Sequence, residues 1–313
     1  MSWRSVVIAN PATLALDNRA LFIRQGDREA RVMLEDISVL VLDHSQISLT
    51  APLLSACAEA QIVVLTVDSS HLPNGVLLPY LPHSRALKVM TAQLALSQPA
   101  RKRLWQRIVQ FKIRNQSALL AHLNKEREAR LLRQLADDVR SGDPDNCEAQ
   151  AAQVYFRALV NPYFHRAQER FYNAALNYGY AIVRAAIART LTTYGFLPAF
   201  GLFHHSEQNP FNLADDLIEP YRALVDAAVL THYPVEPDRD LAPGDKARLV
   251  ALLHEDVTLS SHSAEDGRCT LLAAIETTVS GLSSIVLQGA PHERLALPHL
   301  DRNNATPDDN DAP

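Results

Sequence analysis

The sequence predicts an α+β protein in which a small N-terminal β-rich domain precedes a larger all-α domain. Three observations carry this reading. Residues 1–80 alternate short β-rich runs with turn residues. Pro73, Asn74-Gly75, Pro79 and Pro82 then cluster within ten residues, a density that stops regular structure and marks a linker. From Ala86 onward apolar residues recur at helical spacing instead. With 313 residues of which 47% are hydrophobic, both parts can bury a core.

Strands of a small sheet or sandwich are expected at 5–8, 13–16, 20–23, 30–33, 39–42 and 62–67. A helix over 52–60 interrupts them, opened by a proline with Thr50 as its N-cap. This domain ends at about residue 80, and the helical domain runs over 81–297. In its first long helix Leu104, Ile108 and Phe111 share one face while Arg103, Arg107 and Arg114 occupy another. A second long helix over 166–192 sets Phe171, Ala174, Tyr178, Ile182 and Ala185 against another side carrying Arg166, Arg170, Asn173, Asn177, Tyr180 and Arg184. Asparagine is disfavoured mid-helix, so Asn173 and Asn177 are each expected to bond a specific group. Further helices are expected over 213–230, 245–255 and 270–287, followed by a disordered tail over 298–313 that has no anchoring apolar side chain.

The apolar stretch 269–287 approaches a membrane span in length, but Glu276 and several Ser and Thr residues favour a core helix. The N-terminal run Val6-Val7-Ile8 is too short for a signal segment. Cys57, Cys147 and Cys269 are odd in number, with no C-x-x-C spacing, which argues against a zinc knuckle or a disulfide framework. A soluble protein of the reducing cytoplasm, with no membrane partner, is the expectation.

Net charge is −5, which by itself argues against a polyanionic partner. Distribution reverses the argument: between Arg85 and Arg133 twelve Lys or Arg face only Glu126 and Glu128, a local balance of +10. A basic stripe of that kind suits the phosphates of a nucleic acid.

The run Gly201-Leu-Phe-His-His-Ser-Glu-Gln-Asn-Pro-Phe-Asn-Leu-Ala-Asp-Asp-Leu-Ile-Glu-Pro220 places His204 and His205 in a loop before an acidic helix start. Asp216 and Glu219 lie three apart and share a helix face. Glu148 opens another helix whose next turns are small or apolar, which lets its carboxylate face inward. Two carboxylates and an imidazole with open positions describe a magnesium or manganese site suited to phosphodiester chemistry. Each motif alone has a bland alternative. Asp145-x-x-Glu148 and Asn212 with Asp215 also fit ordinary caps, a His-His pair has many roles, and a basic stripe can be a solvated face. An architectural DNA-binding subunit and a small-molecule phosphatase or esterase remain open on these residues. No Gly-rich phosphate loop and no Gly-x-Ser-x-Gly elbow is present.

Three motifs in order narrow the choice: Glu148 in Glu-x-x-x-Ala-x-x-Tyr-Phe, Asn173-x-x-Leu-Asn-Tyr-Gly-Tyr180, and His205 followed by Asn212-Leu-Ala-Asp-Asp-Leu-Ile-Glu-Pro220. Together they resemble the CRISPR-associated spacer integrase Cas-one, most closely its type II branch, and the similarity spans the whole chain. The resemblance implies a metal-dependent DNA endonuclease and integrase that inserts short foreign DNA into a CRISPR repeat array by transesterification. It implies Mg2+ or Mn2+ held by Glu148, His205 and Glu219, with Asp216 in support; His204 and Asp215 are the neighbours most easily confused with ligands. It further implies double-stranded DNA, both incoming duplex and repeat array, as partner. A homodimer through the β-rich domain, the small subunit Cas-two, and type II effector and accessory proteins complete the expected partners. The expected DNA contacts are Lys102, Arg103, Arg107, Arg114, Arg170, Asn173 and Asn177.

Overall fold

The computed structural model describes residues 4–69, 71–79, 84–159, 171–260 and 267–300. Its N-terminal strands are β1 (Arg4–Ile8), β2 (Ala12–Asp17), β3 (Ala20–Gln25), β4 (Arg28–Met33), β5 (Ile37–Leu42) and β6 (Ile47–Leu49). Helix α1 (Ala51–Glu59) follows, then β7 (Val63–Val67) and β8 (Pro73–Leu77). They form two four-stranded sheets, ordered β4-β3-β2-β6 and β1-β5-β7-β8. In the second, β1, β5 and β7 run parallel and β8 returns antiparallel along the edge.

All six residues of β5 are buried, which marks a strand covered on both faces. Alternation then divides its side chains between two cores. Leu40 and Leu42, with Val64 of β7, pack beside Ile8, Leu14, Leu21 and Leu53. Val39 and Val41, with Val63 and Leu65, belong to the large cluster built by the helices. The sheet is therefore a floor on which the helical part is laid.

The proline-rich stretch expected to be linker contains β8. Its proline stands at the first residue of an edge strand, where a missing N–H costs no ladder bond. Strand β6 was likewise not expected from its three residues.

The helices are α2 (Ala86–Leu94), α3 (Gln98–His122), α4 (Glu126–Asp138), α5 (Cys147–Leu159), α6 (Phe171–Thr193), α7 (Asn212–His232), α8 (Pro243–Ala251) and α9 (Leu271–Gln288). Helices α3 and α6 each pack against α7. The approach of α6 to α7 is close at Gly179, where an added Cβ would lie 2.5 Å from Val225 Cγ1. The α9 residues Leu271, Ala274, Ile275, Thr278, Val279, Leu282 and Ile285 form a buried stripe at helical spacing, as expected of a core helix.

The C-terminal part is not purely helical. Strands β9 (Asp256–Leu259), β10 (Gly267–Thr270) and β11 (Pro298–His299) form a small antiparallel sheet. These runs of two to four residues are too short for a periodicity to show. They also carry regular structure into the start of the stretch expected to be tail, where Asn115 of α3 donates to Pro298 O at 2.9 Å and accepts from Leu300 N at 3.1 Å. Residues 301–313 lie outside the described residues.

Helix α8 docks on β1 beside a buried ion pair. Lys246 Nζ meets Asp43 Oδ2 at 2.8 Å, both side chains being almost fully enclosed, and the other Asp43 oxygen meets His71 Nδ1 at 2.6 Å. Nearby, His254 Nε2 lies 2.9 Å from Ser5 Oγ and 3.1 Å from Ser38 Oγ. Removing Lys246 leaves the buried Asp43 carboxylate with the exposed His71 ring in place of its buried cation, so Lys246→Met is expected to lower stability by about 3 kcal/mol, while the double change Asp43→Asn with Lys246→Met recovers much of that loss. Thermal and denaturant unfolding of the three proteins check this.

Candidate metal centre

Three helices bring the site together. Helix α3 starts with Ser97, whose Oγ accepts the Ala100 amide, and with a proline in the first turn, where its missing N–H is harmless. Its buried side carries Leu104, Trp105, Ile108 and Val109, and on the same side Lys112. Helix α5 is capped by Asp143, whose carboxylate accepts the Cys147 amide at 2.8 Å and the Glu148 amide at 3.0 Å. Glu148 is thereby fixed in the first turn. Cys147 is a buried free thiol beside it, a packing residue. Helix α7 supplies Glu219, immediately before Pro220 inside the helix, and Asn115 of α3 donates to the Pro220 carbonyl at 2.7 Å.

Glu148 and Glu219 converge on one cationic nitrogen. Lys112 Nζ lies 2.6 Å from Glu148 Oε1 and 2.5 Å from Glu219 Oε2. Oε2 of Glu219 is buried with no hydrogen bond of good angle, so this contact is primarily one of charge. The other Glu219 oxygen accepts from Arg222 Nε at 3.0 Å. Burial pushes the Glu219 carboxyl up, but Lys112 and Arg222 outweigh it and hold the group down at about 2. Burial likewise opposes charge on Lys112, and the two glutamates outweigh it and raise its pKa.

The ion pair continues into a buried network. The Arg222 guanidinium stacks 4.7 Å from the Tyr180 ring centroid, and the Tyr180 hydroxyl donates to Asp226 Oδ1. Tyr155 donates to Asp226 Oδ2 at 2.6 Å. Glu148 and Tyr155 are seven apart on α5, and Glu219, Arg222 and Asp226 are spaced three and four apart on α7, so each set lines one face of its helix. The two facing rows lock α5 to α7 behind the carboxylates.

The two neighbouring histidines are held differently. Asp216 is fully buried and accepts the amides of Leu202 at 2.5 Å, Phe203 at 3.1 Å and His204 at 3.0 Å, as well as His204 Nδ1 at 2.7 Å. It pins the loop and orients the His204 ring. Gly201 is required there, since an added Cβ would meet His204 O at 2.3 Å. The hydrogen bond to Asp216 raises the His204 pKa against burial, and the charges of Asp216, Glu219 and Glu148 add to the rise. His205, the residue expected at the site, is exposed and donates from Nδ1 to the Phe203 carbonyl at 2.8 Å. Asp215 is engaged elsewhere, meeting Arg184 at 2.5 and 2.9 Å and Asn209 Nδ2 at 2.5 Å.

Among the described residues no three His, Cys, Asp or Glu side chains are already gathered as a metal cluster. The donor chemistry nevertheless fits a hard divalent cation. Two carboxylates already address one positive charge, and His204 has Nδ1 tied to a carboxylate, the usual arrangement for an imidazole that ligates through Nε2. Beside them opens a pocket of about 370 Å³ whose lining includes Lys102, Trp105, Phe203, His204 and His205. Phe203 stacks on Trp105 with centroids 4.3 Å apart.

The expected DNA contacts divide. Lys102, Arg103 and Arg114 are exposed along α3, with Arg114 paired to Asp137 at 3.2 Å on the surface. Arg107 is half-buried and donates to the Leu295 carbonyl at 2.9 Å and the Glu293 carbonyl at 3.4 Å, so it holds the C-terminal segment instead. Asn173 is buried and Asn177 exposed, while Arg170 lies outside the described residues. Lys112, Arg222, Tyr180, Asp226 and Tyr155 were not singled out as site residues beforehand, although the helical spacings of Tyr155 with Glu148 and of Arg222 and Asp226 with Glu219 were present in the sequence.

Comparison with known proteins decides the lineage. Residues 6–234 match the family model of CRISPR associated protein Cas1. The chain belongs to the Cas1 family. It is 47% identical over 303 residues to the CRISPR-associated endonuclease Cas1 of Neisseria meningitidis serogroup C (strain 8013), covering 96% of this chain and 97% of that one. Among solved structures, a casposase bound to integration product aligns with a TM-score of 0.74 at 18% identity, covering 93% and 92% of the two chains. The Cas1 protein of Thermotoga maritima aligns at 0.69 and 15% identity, over 91% and 97%. These structural likenesses establish the Cas1 fold for the chain, with a strand-rich N-terminal part and a helical C-terminal part.

Proposed function

We propose that the protein is a metal-dependent DNA endonuclease and integrase that inserts short foreign DNA into a CRISPR repeat array by transesterification. The observation that carries the reading is the convergence of Glu148 and Glu219 on one cation beside a carboxylate-oriented histidine. Support also comes from the 47% identical relative, named a CRISPR-associated endonuclease, and from the fold shared with a casposase bound to integration product.

In this reading Glu148, Glu219 and His204 hold Mg2+ or Mn2+, with His204 taking the place first given to His205 and Asp216 orienting it. When bound, the metal supplies charge stabilisation at a non-bridging phosphate oxygen and sets the attacking and leaving oxygens. The chain's own residues do the rest. Arg222 holds Glu219 in position, Asp216 keeps the His204 ring in one orientation, and Lys102, Arg103 and Arg114 position the phosphate backbone. A DNA 3′-hydroxyl as nucleophile gives strand joining, and water gives cleavage; no protein nucleophile is needed.

Double-stranded DNA is the proposed partner. Solved complexes that share the fold include a DNA-bound Cas1 and a Cas6-RT-Cas1–Cas2 assembly, which supports a Cas2 partner here. A homodimer through the strand-rich part, type II effector partners and a cytoplasmic location belong to the same proposal.

Removing Lys102, Arg103 and Arg114 together is expected to weaken binding of unrelated duplexes alike and to reduce the slope of affinity against salt by about 3 on logarithmic axes. Arg107→Ala is expected to change the slope little and to lower the unfolding midpoint instead. Fluorescence anisotropy across a salt series separates the two. The reading itself is tested by incubating a labelled duplex with the protein in Mg2+, Mn2+ or chelator. Metal-dependent cleavage supports it, and tight DNA binding without any metal-dependent product overturns it.

A further inference from the structure

We infer that Lys112 is a resident counter-cation that prearranges Glu148 and Glu219 for a divalent metal and must be displaced from between them when the metal binds. The inference rests on the metal-site reading above and adds a competitor built into the chain. Its basis is geometric. The ammonium lies 2.6 Å from one carboxylate and 2.5 Å from the other, on a side chain only 10% exposed. Lys112 projects from the apolar side of α3, between turns that bury Trp105, Ile108 and Val109 and turns that bury Asn115 and Gln116, so the helix directs it at the carboxylates. Arg222 already neutralises the other Glu219 oxygen, with its guanidinium held over the Tyr180 ring.

The electrostatic argument follows. Two neighbouring carboxylates, one enclosed and one partly exposed, repel one another and are costly without a cation between them. Lys112 removes that repulsion in the metal-free protein, so the ligands wait near their working positions. A divalent ion bound to the same oxygens would meet a positive charge within contact distance, and the two cannot share the space. Metal entry therefore requires the flexible lysine stem to withdraw its ammonium. The free energy of breaking two ion pairs is subtracted from the metal's affinity.

The test is Mn2+ binding, read by the electron paramagnetic resonance signal of the free ion, for the full-length wild type, Lys112→Met, Lys112→Arg and Glu148→Gln. Lys112→Met is expected to bind Mn2+ at least about tenfold more tightly than wild type, because the competing charge is gone. Lys112→Arg, which keeps a cation, is expected to bind no more tightly than wild type. Unfolding midpoints in chelator are expected to fall in Lys112→Met and to be restored by Mn2+ more than in wild type. If Lys112→Met does not fold, Lys112→Gln, neutral and polar, takes its place with the same expectation. Mn2+ binding that depends on Glu148 but is unchanged or weaker in the neutral variant overturns this inference and leaves the metal site standing. Binding indifferent to Glu148→Gln overturns both.

Discussion

Glu148→Ala and Glu219→Ala are each expected to lower metal-dependent cleavage and joining by on the order of 10³-fold, since each removes a carboxylate that a divalent cation needs. The two differ in what else they disturb. Glu219 is enclosed and is the shared partner of Lys112 and Arg222, so its loss takes the carboxylate from Arg222 and leaves Lys112 with Glu148 alone, and is expected to cost about 3–5 kcal/mol of stability. Glu148 is partly exposed and its loss leaves Lys112 still paired with Glu219, so the stability change should be smaller. Activity and unfolding midpoint measured on the same preparations separate a catalytic loss from a folding loss. Glu219→Gln, which keeps shape and hydrogen bonding, should lose activity while keeping more of the stability.

His204→Ala is expected to lower activity by on the order of 10²-fold, and His205→Ala to leave it within about threefold. The reason lies in Asp216, which binds three loop amides and the His204 ring while His205 turns to a backbone carbonyl. Asp216→Asn keeps the shape and removes the charge, and is expected to weaken metal affinity about 10- to 100-fold through the misoriented imidazole. A pH profile adds a second readout. The Asp216 bond raises the His204 pKa by favouring imidazolium, whereas a metal needs the neutral ring. Metal affinity should therefore rise as pH climbs through the His204 titration, and Asp216→Asn should move that limb to lower pH. Equal losses in His204→Ala and His205→Ala, or a pH limb unmoved by Asp216→Asn, would contradict this assignment.

Much of this was legible before the fold was known. Strands β1 to β5 and β7 announce themselves by short β-rich runs between turn residues, and β5 by the apolar run Val39 to Leu42. The helix-opening position of Glu148, followed by small residues, and the shared face of Asp216 and Glu219 both follow from helical spacing. What stayed hidden has physical reasons. Adjacent histidines in a loop have no periodicity to tell them apart, and only the three-amide grip of Asp216 turns His204 inward. Lys112 counted as one more basic residue in a basic stretch, although it falls seven, four and three places after Trp105, Ile108 and Val109 on the apolar side of its helix. Arg107 belongs to the same stretch, and nothing local shows that its guanidinium reaches carbonyls nearly two hundred residues away. Proline density hid β8 because a proline is compatible with an edge strand, and edge position is decided by the rest of the sheet.

The central claim is most directly tested by strand transfer of a short duplex into a supercoiled plasmid carrying the CRISPR repeat, with Cas2 added, in Mg2+, Mn2+ or chelator. The account predicts joined products from wild type and His205→Ala in either metal, none in chelator, and yields lowered on the order of 10³-fold in Glu148→Ala and Glu219→Ala and 10²-fold in His204→Ala. Joined products that persist in chelator, or that survive loss of both glutamates in a folded protein, would contradict it.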